Sequence, residues 1–143
     1  MVLVKQFATF YLDRLLFGVE VSKVQEVIRY QEMTRVPLAP SIVTGLINLR
    51  GQIVTALDLR RRLELAERPS DRLPMNVVVR AGDEPVSLLV DEIGDVLEVE
   101  DESFESPPET LKGVARELIR GAYKLKDHLL LVLDTEKAVS IPA

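Results

Sequence analysis

Apolar residues along this chain recur at a period of two more often than at the helical period, which predicts strands. LVKQFATFYL places Leu3, Phe7, Thr9 and Tyr11 on one parity and Val4, Gln6, Ala8 and Phe10 on the other. Both parities carry apolar side chains, so this strand is expected to be covered on both faces. Asp13-Arg14 reads as a turn into a second strand, LLFGVEV, paired hairpin-fashion. Ser22 is a candidate cap for one helical turn through Gln25, and Val27 to Tyr30 resumes as strand. Pro37 and Pro40 bracket a bend. Leu46 to Leu49 and Gln52 to Leu57 are expected to pair about an Arg50-Gly51 turn, with Asp58 capping a short helix, LRRRLEL. AERPSDRLP, residues 66–74, is polar and proline-bearing and is the best linker in the chain. Beyond it, MNVVVR and VSLLV flank a turn at Ala81 to Pro85, and DVLEVE is a further strand. DESFESPPET is an acidic loop, and ETLKGVARELIRG has helical periodicity. LIRGAYKL and HLLLVL pair across Lys126-Asp127, and Asp134 caps a last short helix, TEKAV.

The pattern repeats. GLINLRGQIVTALDLRRRL from Gly45 matches GAYKLKDHLLLVLDTEKAV from Gly121, so Gly45 meets Gly121, Arg50 meets Lys126 and Asp58 meets Asp134. Upstream, VSKVQEVI from Val21 matches VDEIGDVL from Val90. Two similar small β-barrels are therefore expected, roughly over residues 14–66 and 75–139, with terminal strands open to exchange between them. A unit of about 60 residues alone would be marginal; two packed together share apolar surface and leave a groove between them. Short turns and many strands suit closed barrels, which have no free sheet edges.

Composition narrows the chemistry. At 143 residues the chain can hold a real core, and its net charge of −5 argues against nucleic acid as a partner. With no cysteine there is no disulfide and no thiolate nucleophile, which fits a reducing cytoplasm. The first residues lack the features of a signal peptide, and no apolar run is long enough to span a membrane, so no direct membrane insertion is expected. His128 is the only histidine and has no metal-ligand company. There is no GxSxG elbow, no phosphate loop and no calcium-loop spacing among Asp91, Glu92, Asp95 and the acids from Glu98 to Glu102, which read as solvated surface. Arg60-Arg61-Arg62 reads as salt bridging with Glu64 and Glu67. No catalytic residue, cofactor site or metal site is indicated, which favours a binding module over an enzyme.

Four motifs in order carry a resemblance. Asn48-Leu49-Arg50-Gly51 followed by Leu57-Asp58-Leu59, Lys23-Val24-Gln25-Glu26-Val27 upstream, Leu89-Val90-Asp91-Glu92-Ile93 downstream, and Leu131-Val132-Leu133-Asp134 near the end resemble the CheW-like domain family of bacterial chemotaxis adaptors. The resemblance runs from about Phe7 to Val139. It implies an all-β fold of two SH3-like five-stranded barrels side by side with short helical turns. It also implies a non-enzymatic scaffold in the cytoplasm, recruited to membrane-associated receptor arrays. One surface would bind the CheW-like regulatory domain of the histidine kinase CheA. The groove between barrels would bind the cytoplasmic hairpin tip of chemoreceptors. The free protein would be a monomer that forms rings with kinase. The chain has no receiver domain and no kinase core, so a stand-alone adaptor is expected. Adaptors of twitching or type IV pilus pathways and a small ligand-binding barrel are the alternatives.

The residues implied at the partner surfaces are Val24, Glu26, Val27, Ile28, Gly45, Asn48, Leu49, Arg50, Gly51, Val90 and Ile93. Val24, Val27 and Ile28 are expected to divide between core and groove, with Val24 in the groove. The resemblance implies that Arg50 pairs with Glu26, and the chemistry agrees, since arginine cannot shed its charge and a carboxylate accepts its fork. Two roles for Arg50 stay open: locking the turn, or contacting a partner directly.

Overall fold

The computed structural model describes residues 3–140. Ten strands form two five-stranded sheets. In chain order they are β1 (Val4–Leu12), β2 (Leu15–Glu20), β3 (Val24–Ile28), β4 (Val43–Leu49), β5 (Gln52–Asp58), β6 (Met75–Ala81), β7 (Glu84–Val90), β8 (Glu92–Glu100), β9 (Ile119–Lys124) and β10 (Leu129–Leu133). Three short helices, α1 (Leu59–Arg62), α2 (Gly113–Leu118) and α3 (Thr135–Val139), follow β5, precede β9 and follow β10. The helical turn expected after Ser22 is a 3₁₀ turn, Val21–Lys23, with no side-chain cap.

The first sheet has the order β8-β1-β2-β10-β9 and the second β3-β6-β7-β5-β4. The barrels do not divide at residues 66–74. The hairpin β1–β2 joins β8, β9 and β10, whereas β6–β7 joins β3, β4 and β5. Each barrel thus combines the leading hairpin of one half of the chain with the three trailing strands of the other. The exchange is made by two parallel pairings, β2 with β10 and β7 with β5. These long-range pairings leave no local signature, since sequence alternation specifies a face and not a neighbour.

The repeated motifs do the same work in both barrels. Asp58 and Asp134 cap α1 and α3, accepting from the Arg60 and Lys137 amides. Their own amides donate to Ile42 O and Leu118 O, each at 2.8 Å. Each sheet closes through one two-bond bridge. Thr34 and Leu46 exchange hydrogen bonds at 2.9 and 2.8 Å, which joins the segment after β3 to β4. Glu105 and Ala122 exchange a pair at 2.9 Å, which joins the segment after β8 to β9. Gly45 and Gly121 sit beside these seams. A Cβ on Gly45 would lie 2.7 Å from Thr34 O, and one on Gly121 would collide with Glu105 O. Glycine is required there for close approach of backbones.

Strand alternation fills three clusters. Ile47, Leu49, Val54, Ala56, Val78 and Leu89 fill the second barrel. Phe7, Leu16, Tyr123, Leu130 and Val132 fill the first. The opposite parity, including Phe10, Phe17, Val77, Val79, Leu88, Leu131 and Leu133, forms one larger core drawn from both sheets. Strands such as MNVVVR are therefore covered on both faces, as a continuous apolar run requires.

Candidate functional surface

The β4–β5 hairpin turns at Arg50-Gly51, both left-handed, with φ of +54° and +86°. Two positive φ values match the twist of the flanking strands in a two-residue hairpin. Asn48 Oδ1 accepts the Gly51 amide at 2.8 Å and holds the turn. Arg50 is strained as a non-glycine residue in this region. Its side chain reaches across the β3–β4 seam to Glu26. Nη1 donates to Glu26 Oε2 at 2.6 Å and Nη2 to Oε1 at 3.0 Å, a bidentate pair. Arg50 is 74% exposed and Glu26 18%. The Arg50 hydrogen bond holds the Glu26 carboxyl below the ordinary carboxylate range. The pairing that the resemblance implies is present. It bridges the seam that the Thr34–Leu46 bonds close, so Arg50 has a structural job while most of its guanidinium stays open to solvent.

The other residues singled out in the sequence separate into two groups. Val27, Asn48, Arg50 and Gly51 are exposed, with Glu26 partly so, on β3 and the hairpin tip. Leu49 and Gly45 are buried, Ile28 packs against the core of the second barrel, and Ile93 packs against the shared core. Val90 is fully buried in that shared core and offers no surface to a partner. Val24, expected in the groove, is partly buried against the same core, and Val27 is the exposed valine, at 40%. The pairing of β3 with β6 shifts register between Val24 and Glu26, while exposure alternates regularly along the strand. Ile53, 61% exposed opposite Asn48, is an apolar surface residue that motif reading passed over. The alternation of Ile53 with buried Val54 was its signal.

Among the acidic residues, Glu92, Asp95, Glu98, Glu100 and Glu102 are exposed as expected, and Asp91 is the exception. Asp91 is not solvated surface; its side chain is 3% exposed. It accepts Arg60 Nε at 3.0 and 3.1 Å, Arg68 Nε at 2.9 Å and the Asp13 amide at 2.6 Å, and it pairs with Arg60 Nη2. Burial opposes its ionisation, but Arg60, the Asp13 amide and Arg68 together hold its carboxyl below the ordinary range. Of the arginine run, only Arg61 takes the expected partner, with Nε 3.0 Å from Glu67 Oε1. Arg62 donates to the backbone carbonyls of Ala138, Lys137 and Ser140 at 2.8, 2.8 and 3.0 Å.

The two wider concavities of the first barrel differ in character. An open groove of about 550 Å³ runs beside the Val21–Lys23 crossover, lined by Val4, Lys5, Glu20, Val21 and Glu98 among others. A smaller apolar pocket of about 190 Å³ sits by Leu15, Leu111, His128 and Leu129. Among the described residues no group of three or more histidine, cysteine or acidic side chains could hold a metal ion. No helix among them is long and apolar enough to cross a membrane.

The family model described as the CheW-like domain matches residues 6–142. The chain belongs to the CheW-like domain family. Chemotaxis protein CheW of Treponema pallidum is 31% identical over 139 residues, covering 94% of this chain and 82% of that protein. Chemotaxis protein CheW of Klebsiella aerogenes is 32% identical over 136 residues, covering 95% and 82%. Among solved structures, the crystal structure of the scaffolding protein TtCheW from Thermoanaerobacter tengcongensis superposes with a TM-score of 0.87 at 24% identity, covering 97% of this chain and 94% of that one. The fold is thus the family's pair of SH3-like barrels, and the seam-closing glycines and capping aspartates of the repeat account for it residue by residue.

Proposed function

We propose that this chain is a non-enzymatic chemotaxis adaptor that couples chemoreceptors to a histidine kinase. The observation that carries the reading is the match of almost the whole chain to proteins named chemotaxis protein CheW. The exposed surface around Val27, Asn48, Arg50 and Ile53 fits a docking site on the second barrel: apolar side chains beside a rigid, half-satisfied arginine. We assign this surface to the kinase's CheW-like regulatory domain. The groove beside the Val21–Lys23 crossover, lined by the ends of β1, β2 and β8, is assigned to the helical hairpin tip of the receptor. The adaptor acts in the cytoplasm, is monomeric when free and joins ring assemblies with kinase. Calorimetric titration with the cognate kinase regulatory domain should give saturable binding near micromolar Kd, about −8 kcal/mol. Absence of binding to both the kinase domain and a receptor hairpin refutes the reading.

A further inference from the structure

Two of the three consecutive arginines around α1 reach across to the other barrel. Asp91 is the residue at which the chain crosses from β7 in the second sheet to β8 in the first. Its amide donates to Tyr11 O at 3.0 Å and its carboxylate accepts the Asp13 amide, both on the first barrel. The same carboxylate takes Arg60 from α1 and Arg68 from the segment that links α1 to β6. All three side chains are at least nine-tenths buried. Arg60 Nη1 also donates to Ala66 O and Glu67 O, so that the start of this segment is held too. Arg62, two residues beyond Arg60, fastens on the carbonyls at the end of α3, which follows β10 of the first barrel.

The apolar core shared by the barrels holds them together but is non-directional. Charge-assisted hydrogen bonds are directional, and breaking a buried pair leaves a charge unpaired. The opposite crossover, Val21–Lys23, has no buried residue. We infer that Arg60 and Arg62, acting through Asp91 and the end of α3, are positioning residues that set the angle between the barrels. They thereby set how the Val21–Lys23 crossover, which joins the barrels and contributes Val21 and Ser22 to the groove, sits against the groove's β1 and β8 residues. The effect on receptor binding rests on the assignment of that groove above; the effect on the angle does not.

The test uses the whole chain with Arg60→Met, Arg68→Met and Asp91→Leu combined. Apolar replacement of a buried ionic cluster commonly keeps or raises stability, so a merely structural role predicts no loss of binding. Residual dipolar couplings and titrations with the kinase regulatory domain and a coiled-coil-stabilised receptor hairpin are then compared with wild type. The inference predicts couplings that still fit each barrel separately but no longer share the wild-type alignment tensor. Hairpin affinity should fall about tenfold or more, with kinase-domain affinity within about twofold. Arg62→Lys, which keeps the charge but not the planar fork, should move the same readouts in the same direction and serves if the triple variant does not fold. One tensor identical to wild type in the folded variants overturns the inference. If wild type binds no hairpin, the assignment of that groove is what fails, and the couplings alone decide the positioning role.

Discussion

Gly45→Ala probes the way each barrel closes. The added Cβ would lie 2.7 Å from Thr34 O and 3.0 Å from Met33 Cβ, so the strand segments must separate at the seam. Separation weakens the two Thr34–Leu46 hydrogen bonds, each contributing about 1 kcal/mol net. Overpacking against backbone adds about 1–3 kcal/mol. Reduced freedom of the unfolded chain offsets about 0.4–1 kcal/mol of this. The net expectation is a loss of about 2–4 kcal/mol, a large share of the stability of an ordinary domain. Gly51→Ala is the matched control. Its Cβ meets nothing, so only the left-handed backbone at φ +86° resists, at about 1–2 kcal/mol. Urea unfolding with linear extrapolation measures both, and hydrogen exchange at Leu46 and Thr34 reports the seam itself. Gly45→Ala within about 0.5 kcal/mol of wild type, with the Leu46 amide still protected, would refute the seam argument.

The remaining predictions concern charge and surface. Asp91→Asn should cost about 3–5 kcal/mol in unfolding free energy, because Arg60 and Arg68 are left buried without their carboxylate. Since the folded Asp91 carboxyl lies below its unfolded value, its contribution is present above about pH 4 and is lost as pH falls through the folded value. Acid titration of stability should therefore be steeper in wild type than in Asp91→Asn below about pH 4. In Arg50→Ala the Glu26 carboxyl should titrate at higher pH than in wild type by NMR, because its main hydrogen-bond donor is gone, while the unfolding midpoint barely moves, since the arginine is mostly exposed. Ile53→Asp should leave the fold intact and weaken binding of the kinase regulatory domain by about tenfold or more, checked by calorimetry beside circular dichroism.

Much of the local structure was legible because the physics behind it is local. The NLRG turn, the capping aspartates 58 and 134, the alternation of the strands and the duplication between Gly45 and Gly121 all appear as short-range patterns. The Glu26–Arg50 pair was legible through the family resemblance together with the need of an arginine for a forked acceptor. Sheet composition was not, because the parallel pairings of β2 with β10 and β5 with β7 join strands far apart in sequence. Asp91 was misread for a related reason. An acidic residue beside Glu92 looks solvated until the fold brings Arg60 and Arg68 to it from 31 and 23 residues away. Val90 carried a family motif but lies in the shared core, and on β3 it is Val27 rather than Val24 that is exposed. Among the motif residues, burial decides which face outward: Val27, Asn48, Arg50 and Gly51 do, and Gly45, Leu49 and Val90 do not.

The most direct measurement is a sequential calorimetric titration in which the kinase regulatory domain is added to saturation and the receptor hairpin follows. The adaptor account predicts two separable, saturable events ending in a complex of all three components, with Ile53→Asp impaired in the first event only. Competition between the two partners for one site, or saturable binding of neither, would contradict it.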